Sequence, residues 1–196
     1  MKKIGVFLTV LLFSVHVAAA DLAVKFVQDL ADDIIEKVLT ANDSPEKRLK
    51  TFRQSFVAAV DLTSVGKFVL GTYWKKATPA EQQEFLKVFI DFTTKTWTDR
   101  FGLYQGQKIV FSGSRNAEQN QLYVDSQIQN NPPTEVIWRL KRSDDSYKII
   151  DIIVEGVSMA MTYRNEYMSF LQAHSGKVSE LTQELARKSA QFKFTN

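Results

Sequence analysis

The chain has 196 residues, of which 44% are apolar and 24% charged, with 14 Phe, 6 Tyr, 3 Trp and no Cys. That is globular composition and excludes a disordered chain, a collagen or a disulfide scaffold; without Cys there is no thiolate zinc site and no thiol catalysis. Lys plus Arg is 25 against 22 Asp plus Glu, too even a balance to indicate nucleic acid.

Residues 1–20 read as an address. Lys2 and Lys3 form a positive start, Ile4 to Val15 an apolar run, and Ala18-Ala19-Ala20 a small-residue cleavage site, so the mature chain is expected to begin at Asp21. The apolar run is short of the ~20 residues a membrane span needs. Removal of the leader takes His16 with it and leaves His174 as the one histidine.

In the mature chain Leu22, Phe26, Leu30, Ile34 and Val38 recur every four residues, which predicts an amphipathic helix from about 22 to 40. Asn42-Asp43-Ser44 breaks it. Ser44 then offers an N-cap and Pro45 a first helical position, with Leu49, Phe52, Phe56 and Val60 as the next apolar stripe. A short helix is expected from Asp61 to about Gly71. Thr78-Pro79-Ala80-Glu81 is a capping box opening a helix from 79 to about 100, with Phe85, Phe89, Phe92 and Thr96 on one face.

The period then changes. Gln107–Ser114, Gln121–Gln129, Glu135–Arg142 and Ser146–Val154 read as strands, separated by the turn-like segments Asn116–Asn120, Asn130-Asn131-Pro132-Pro133 and Ser143-Asp144-Asp145. Such short connections predict an antiparallel meander. In the fourth strand Ile149, Asp151 and Ile153 are expected on one face and Ile150, Ile152 and Val154 on the other, which suits a central strand, or one covered on one side and lining a cavity on the other. After Gly156 a helix carries Tyr163, Tyr167, Phe170 and Leu171. Gly176 ends it, Val178, Leu181 and Leu185 mark a last helix, and Phe192 and Phe194 lie in a basic tail expected to fray. The fold class is thus α+β: one domain over residues 21–196, with helices packed on a curved antiparallel sheet of four strands or slightly more. Such an arrangement commonly encloses a concave apolar space.

Chemistry is sparse. Gly156-Val157-Ser158-Met159-Ala160 follows a strand and opens a helix, like a hydrolase nucleophile elbow with Ala for the last Gly. The partners in that order are Glu166 and His174, on the same helix, and sixteen helical residues hold Ser158 and His174 about 24 Å apart. Ser158 is therefore read as a helix cap. No His, Asp and Glu cluster has metal-ligand spacing, and Gly102–Gly106 lacks the Lys-Ser/Thr of a phosphate loop. Asp151, set among isoleucines, requires an Arg or hydroxyl partner, such as Arg139 or Tyr147; an acid–base role in a small cone-shaped α+β enzyme is the functional alternative, and a protein-binding adaptor is a third.

Four stretches carry a resemblance. They are Phe68-Val69-Leu70-Gly71-Thr72-Tyr73-Trp74, Ala77-Thr78-Pro79, Val136-Ile137-Trp138-Arg139-Leu140, and Val154-Glu155-Gly156-Val157-Ser158-Met159-Ala160 continued by Thr162-Tyr163-Arg164-Asn165-Glu166-Tyr167. In order and spacing, over nearly the whole mature chain, the sequence resembles the MlaC (toluene-tolerance) family. The resemblance implies a monomeric periplasmic phospholipid carrier. It would shuttle lipid between an outer-membrane lipoprotein complex and an inner-membrane ABC transporter to maintain outer-membrane lipid asymmetry. Phospholipid would be its cargo; no cofactor, metal, nucleic acid or catalysis is implied. On that reading the pocket wall is expected at Phe68, Tyr73, Phe85, Phe89, Phe92, Val110, Val136, Trp138, Ile149, Ile153, Val157, Met161 and Tyr163.

Overall fold

The computed structural model describes residues 15–39, 43–102, 105–143 and 146–192. Residues 1–14 of the expected leader, Asn42 of the first break, Asp144 and Asp145 of the third turn, and Phe194 of the tail lie outside the described residues.

Helix α1 (Val15–Ile34) continues as one π-helical turn, Ile35–Leu39. Its buried face is Ala23, Val27, Ala31, Ile34 and Val38, whereas Leu22 is 59% exposed. The four-residue stripe read from sequence runs off this face. Each four-residue step overshoots a full turn by about 40°, so a strict repeat of four walks around the helix. α2 (Pro45–Ala59) is capped by Ser44, whose hydroxyl accepts from Lys47 N. α3 (Leu62–Leu70) is capped in the same way by Asp61, which accepts from Ser64 N. After the single turn of α4 (Thr72–Lys76), the expected capping box opens α5 (Pro79–Gly102): Thr78 Oγ1 accepts from Glu81 N at 3.3 Å, and the Glu81 carboxylate accepts from Thr78 N at 2.9 Å. Phe85 and Phe89 are fully buried on α5 together with Thr93, Thr94, Trp97 and Thr98, while Phe92 and Thr96 stand half-buried at the edge of that face.

The sheet is a five-stranded antiparallel meander in the order β1 (Ile109–Asn116), β2 (Gln121–Ile128), β3 (Thr134–Ser143), β4 (Ser146–Val154), β5 (Val157–Ser158). It is curved and unclosed. Two bulges bend it. Ser112 is skipped in the β1–β2 register, and Ile150 in the β3–β4 register, where Leu140 faces Ile149 but Arg139 faces Asp151. The second bulge corrects the face assignment of β4. It switches the alternation so that Ile149, Ile152 and Val154 share the inner face with Leu140, Trp138 and Val136. Asp151 and Ile153 turn to the other side with Arg139 and Ile137. β4 lies between β3 and the two-residue β5, so most of its outer side is an edge. Its outer edge is closed piecewise: Asp61 N donates to Ile149 O, the Lys148 ammonium donates to Ala58 O, and β5 pairs with Ile153 and Val154. An edge covered in this way offers no template for another strand.

Helices α6 (Met159–Ala173) and α7 (Val178–Ala190) close the fold. α6 packs on α3, where Gly71, at φ +54°, has the Arg164 guanidinium 2.8 Å from where a Cβ would stand, so the turn after α3 needs glycine twice over. Tyr167 meets Phe85 and Phe89 edge-on, with ring centroids 6.5 and 6.4 Å apart. α7 lies on α5, held by Lys95 Nζ donating to Ser189 and by the Ser189 hydroxyl donating to Asp91. Among the described residues no helix is long and apolar enough to cross a membrane.

Candidate functional site

Two places in the structure bear on function, and they lie apart. The first is the corner where β4 passes through β5 into α6. Asp151 is buried at 8% exposure. One oxygen accepts from Ser158 Oγ at 2.5 Å, and the other from Ile152 N at 2.8 Å and Ala160 N at 2.9 Å. Neither Arg139 nor Tyr147 is its partner; the Arg139 Nε donates to Gln121. Ser158 also accepts from Met161 N at 3.0 Å as the N-cap of α6. Its hydroxyl is thus engaged as donor and acceptor, and the Asp151 carboxylate accepts three bonds. This pairing answers the desolvation of a buried carboxylate. α6 is one unbroken helix from Met159 to Ala173, and His174, at its far end, is stacked on Phe170 with its Nδ1 against Phe170 O. No triad assembles. Among the described residues no group of three or more His, Cys, Asp or Glu gathers for a metal.

The second place is a cavity of about 340 Å³ between α1, the last turns of α5 and the inner face of the sheet. α1 and its π-helical turn supply Leu30, Ala31, Ile34 and Ile35. α5 supplies Trp97, Arg100 and Phe101, and the sheet supplies Ile109, Ser126, Ile128, Val136, Trp138, Ile152 and Val154. Gln107, Asn130, Thr134 and Arg100 are the polar residues at its more exposed end. The interior is dry in its chemistry. The Trp138 indole donates to Ser126 Oγ at 2.9 Å, and the Ser126 hydroxyl donates to Val136 O at 2.7 Å, so both polar groups of the floor are satisfied by each other and the strand. Apolar cavities lined in this way stay empty of water and bind apolar guests; one of about 150 Å³ accepts benzene.

Of the residues expected at the pocket wall, Val136 and Trp138 line this cavity. Phe89, Ile149 and Tyr163 line a separate void of about 40 Å³. Phe85 is stacked on Phe89 in the closed core, and Phe92 is half-buried beside it. Tyr73 is half-buried under Lys76 and against Gly176. Ile153 and Val110 lie on the outer face of the sheet, opposite Ile137 and Gln127. Phe68, Val157 and Met161 are exposed, Phe68 beneath the Arg164 guanidinium. Every other lining residue lay outside the expected set, among them the α1 pair Leu30 and Ile34, the α5 set Trp97, Arg100 and Phe101, and Ile109, Ile128, Ile152 and Val154 of the strands. Their signal was present as i, i+4 spacing in α1 and i, i+3, i+4 spacing at the end of α5.

A helix-covered open sheet with a dry cavity beneath the helices has the architecture of a protein that holds an apolar ligand. The chain belongs to the MlaC family, whose model, described as MlaC protein, matches residues 25–187. It is similar, at 26% identity over 144 residues, to the intermembrane phospholipid transport system binding protein MlaC of Haemophilus influenzae; the match covers 67% of this chain and 66% of that protein. In fold it is similar to the phospholipid-binding protein from Ralstonia solanacearum, solved in complex with a phospholipid. That likeness has a TM-score of 0.76 at 24% sequence identity and covers 86% of this chain and 97% of the other.

Proposed function

We propose that the protein is a periplasmic phospholipid carrier whose acyl-chain site is the cavity between α1, α5 and the sheet. The observation that carries this is the cavity itself: about 340 Å³, walled by aliphatic and aromatic side chains, with the floor's polar groups already paired. Each acyl methylene exposed to water costs about 0.8 kcal/mol, so two tails of some fifteen methylenes cost on the order of 24 kcal/mol. A phospholipid does not cross an aqueous gap unaided at that cost; a carrier covers the tails and can leave the headgroup wet. The relatives support the reading, one by the transport system it is named for and one by the phospholipid in its structure.

In this reading residues 1–20 are an export leader removed after Ala20, and 21–196 form a single carrier domain working as a monomer. The carrier takes lipid from one membrane complex and delivers it to another: an outer-membrane lipoprotein complex and an inner-membrane ABC transporter, which together maintain lipid asymmetry. It performs no catalysis and needs no cofactor besides its cargo. The Asp151–Ser158 pair holds a corner of the fold. The test is denaturing extraction of protein purified from the periplasm of a Gram-negative host, followed by mass spectrometry. Phospholipid at near-stoichiometric amounts, with the headgroups of the host mixture, is expected; protein free of lipid overturns the proposal.

A further inference from the structure

The cavity between α1, α5 and the sheet is apolar within and carries a single charge at its more exposed end. Arg100 is the only charged residue among those that line it. Two contacts fix its side chain there. The guanidinium carbon stands 5.2 Å from the centroid of the Trp97 ring, itself part of the cavity wall, and Nη1 lies 3.5 Å from the Met159 sulfur. Neither contact neutralises it. Among the described residues no carboxylate is paired with Arg100, whereas Arg53, Arg115 and Arg187 each have one. A cation in the last turn of α5 suits the helix dipole wherever it stands; what singles Arg100 out is that its guanidinium lies on the wall of an apolar cavity. The same rim holds neutral donors. Asn130 Nδ2 donates to Thr134 Oγ1 at 3.2 Å, which leaves the second N–H of that amide and the Thr134 hydroxyl proton unused among the described residues. A guanidinium and two neutral donors, with no carboxylate among the lining residues, are the chemistry of an anion site.

We propose that Arg100, with Asn130 and Thr134 on the same rim, binds the phosphodiester of the carried lipid. The proposal rests on the carrier reading above. In a phospholipid the phosphodiester follows the glycerol directly, so tails lying against Val136 and Trp138 bring it to the open end where Arg100 stands. There the guanidinium can engage two phosphate oxygens through parallel N–H bonds. The phosphodiester is the charge that every phospholipid carries, whatever alcohol is esterified beyond it. The site therefore selects phospholipids as a class over neutral diacyl lipids and leaves the terminal headgroup unread. Tail burial cannot make that distinction, since it depends on the methylenes alone.

The test is a competition between two lipids with identical tails. Wild type, Arg100→Gln and Arg100→Lys are stripped and loaded from an equimolar mixture of dimyristoyl phosphatidylcholine and dimyristoylglycerol in detergent micelles, and the retained lipids are counted by mass spectrometry. The two lipids partition differently into micelles, but that difference cancels when one protein is compared with another. The ratio of phospholipid to diacylglycerol is expected to fall about tenfold from wild type to Arg100→Gln, the worth of one hydrogen-bonded charge. Arg100→Lys should fall between them, because it keeps the charge and loses the fork. Added salt should lower the ratio in wild type and leave Arg100→Gln unchanged. A purely structural Arg100 would alter the total lipid retained and not the ratio. Equal ratios in wild type and Arg100→Gln overturn the phosphodiester site alone. A wild type that retains neither lipid overturns the carrier reading and the site with it. Inorganic phosphate in large excess should leave the wild-type ratio in place, because the lipid's phosphodiester is held at the rim by its tails. A wild-type ratio that phosphate lowers to the Arg100→Gln value assigns the site to free phosphate and overturns the proposal.

Discussion

Ala31→Phe separates a ligand cavity from a loosely packed core. Ala31 sits on α1 with its methyl group at the cavity wall, beside Leu30 and Ile34. A phenyl ring placed there adds about the bulk of benzene, which fills a cavity of about 150 Å³. Of the roughly 340 Å³ available it would take close to half. About six carbons of an acyl chain are then excluded. At about 0.8 kcal/mol each this is about 5 kcal/mol, or between three and four decades in Kd. The stripped variant should move the other way, because the ring buries its own apolar surface in space that is otherwise unfilled. A gain of about 1–2 kcal/mol raises the melting temperature by about 2–8 °C in a chain of this size. The wild type should show the reverse pattern, melting higher when loaded than when stripped, because a ligand bound only by the folded state stabilises it by mass action. The assay is calorimetry on stripped and loaded forms of both proteins, with retained lipid counted by mass spectrometry. An Ala31→Phe protein that keeps wild-type amounts of lipid refutes the placement of the site. One whose stripped form melts lower refutes the existence of free space at this wall, since overpacking a filled core is destabilising.

Ser158→Ala should lower stability by about 2–3 kcal/mol in urea unfolding, from the lost cap of α6 and the Asp151 oxygen left without its hydroxyl partner. Lipid transfer should stay within a few-fold of wild type, and a hydrolase activity abolished by this change would overturn the structural role given to Ser158. Stability should also fall in acid. Hydrogen bonds from Lys37 and Ser55 hold the Asp33 carboxyl below its ordinary 3.8, and bonds from Thr78 hold Glu81 below its ordinary 4.5. At Asp91 burial pushes upward, but Ser189, Lys95 and Arg53 together bring the carboxyl below its usual value. A depressed carboxyl contributes stability above its unfolded-state pKa and loses it as pH falls through the folded-state value, so urea midpoints should decline between about pH 5 and about pH 3. Midpoints that are level over that interval would contradict these pairings.

The helix starts were legible because caps are local. Ser44, Asp61, Thr78 with Glu81, and Ser158 each act within three residues of themselves, and each was readable from spacing alone. The meander was legible for a similar reason, since turn residues and period-two alternation are short-range signals. The cavity was not. Its wall is drawn from α1, α5 and four strands, and an aliphatic residue on an inner face reads the same whether it meets a neighbour or a void. The bulge at Ile150 is the plainest case. One skipped residue moves Ile153 away from the cavity face and brings Ile152 and Val154 onto it, and no residue preference in that run of isoleucines announces it. Asp151 has a hydroxyl partner, as expected, but the hydroxyl is that of Ser158. The cross-strand neighbour of Asp151, Arg139, was the natural partner to expect, yet the backbone amides of Ile152 and Ala160 and the Ser158 hydroxyl reach it first, because the turn through Glu155 and Gly156 folds the start of α6 back over it.

The central claim is that acyl chains lie between α1, α5 and the inner face of the sheet. A phosphatidylcholine carrying a photoactivatable diazirine midway along one acyl chain tests it most directly. The stripped protein is loaded with this lipid and irradiated, and the adducts are located by peptide mass spectrometry. Adducts on Ile34, Trp97, Val136 and Trp138, lost in Ala31→Phe, are the result expected. Adducts confined to exposed residues such as Phe68, Val157 and Met161, with none on α1 or α5, would place the lipid on the surface and contradict the account.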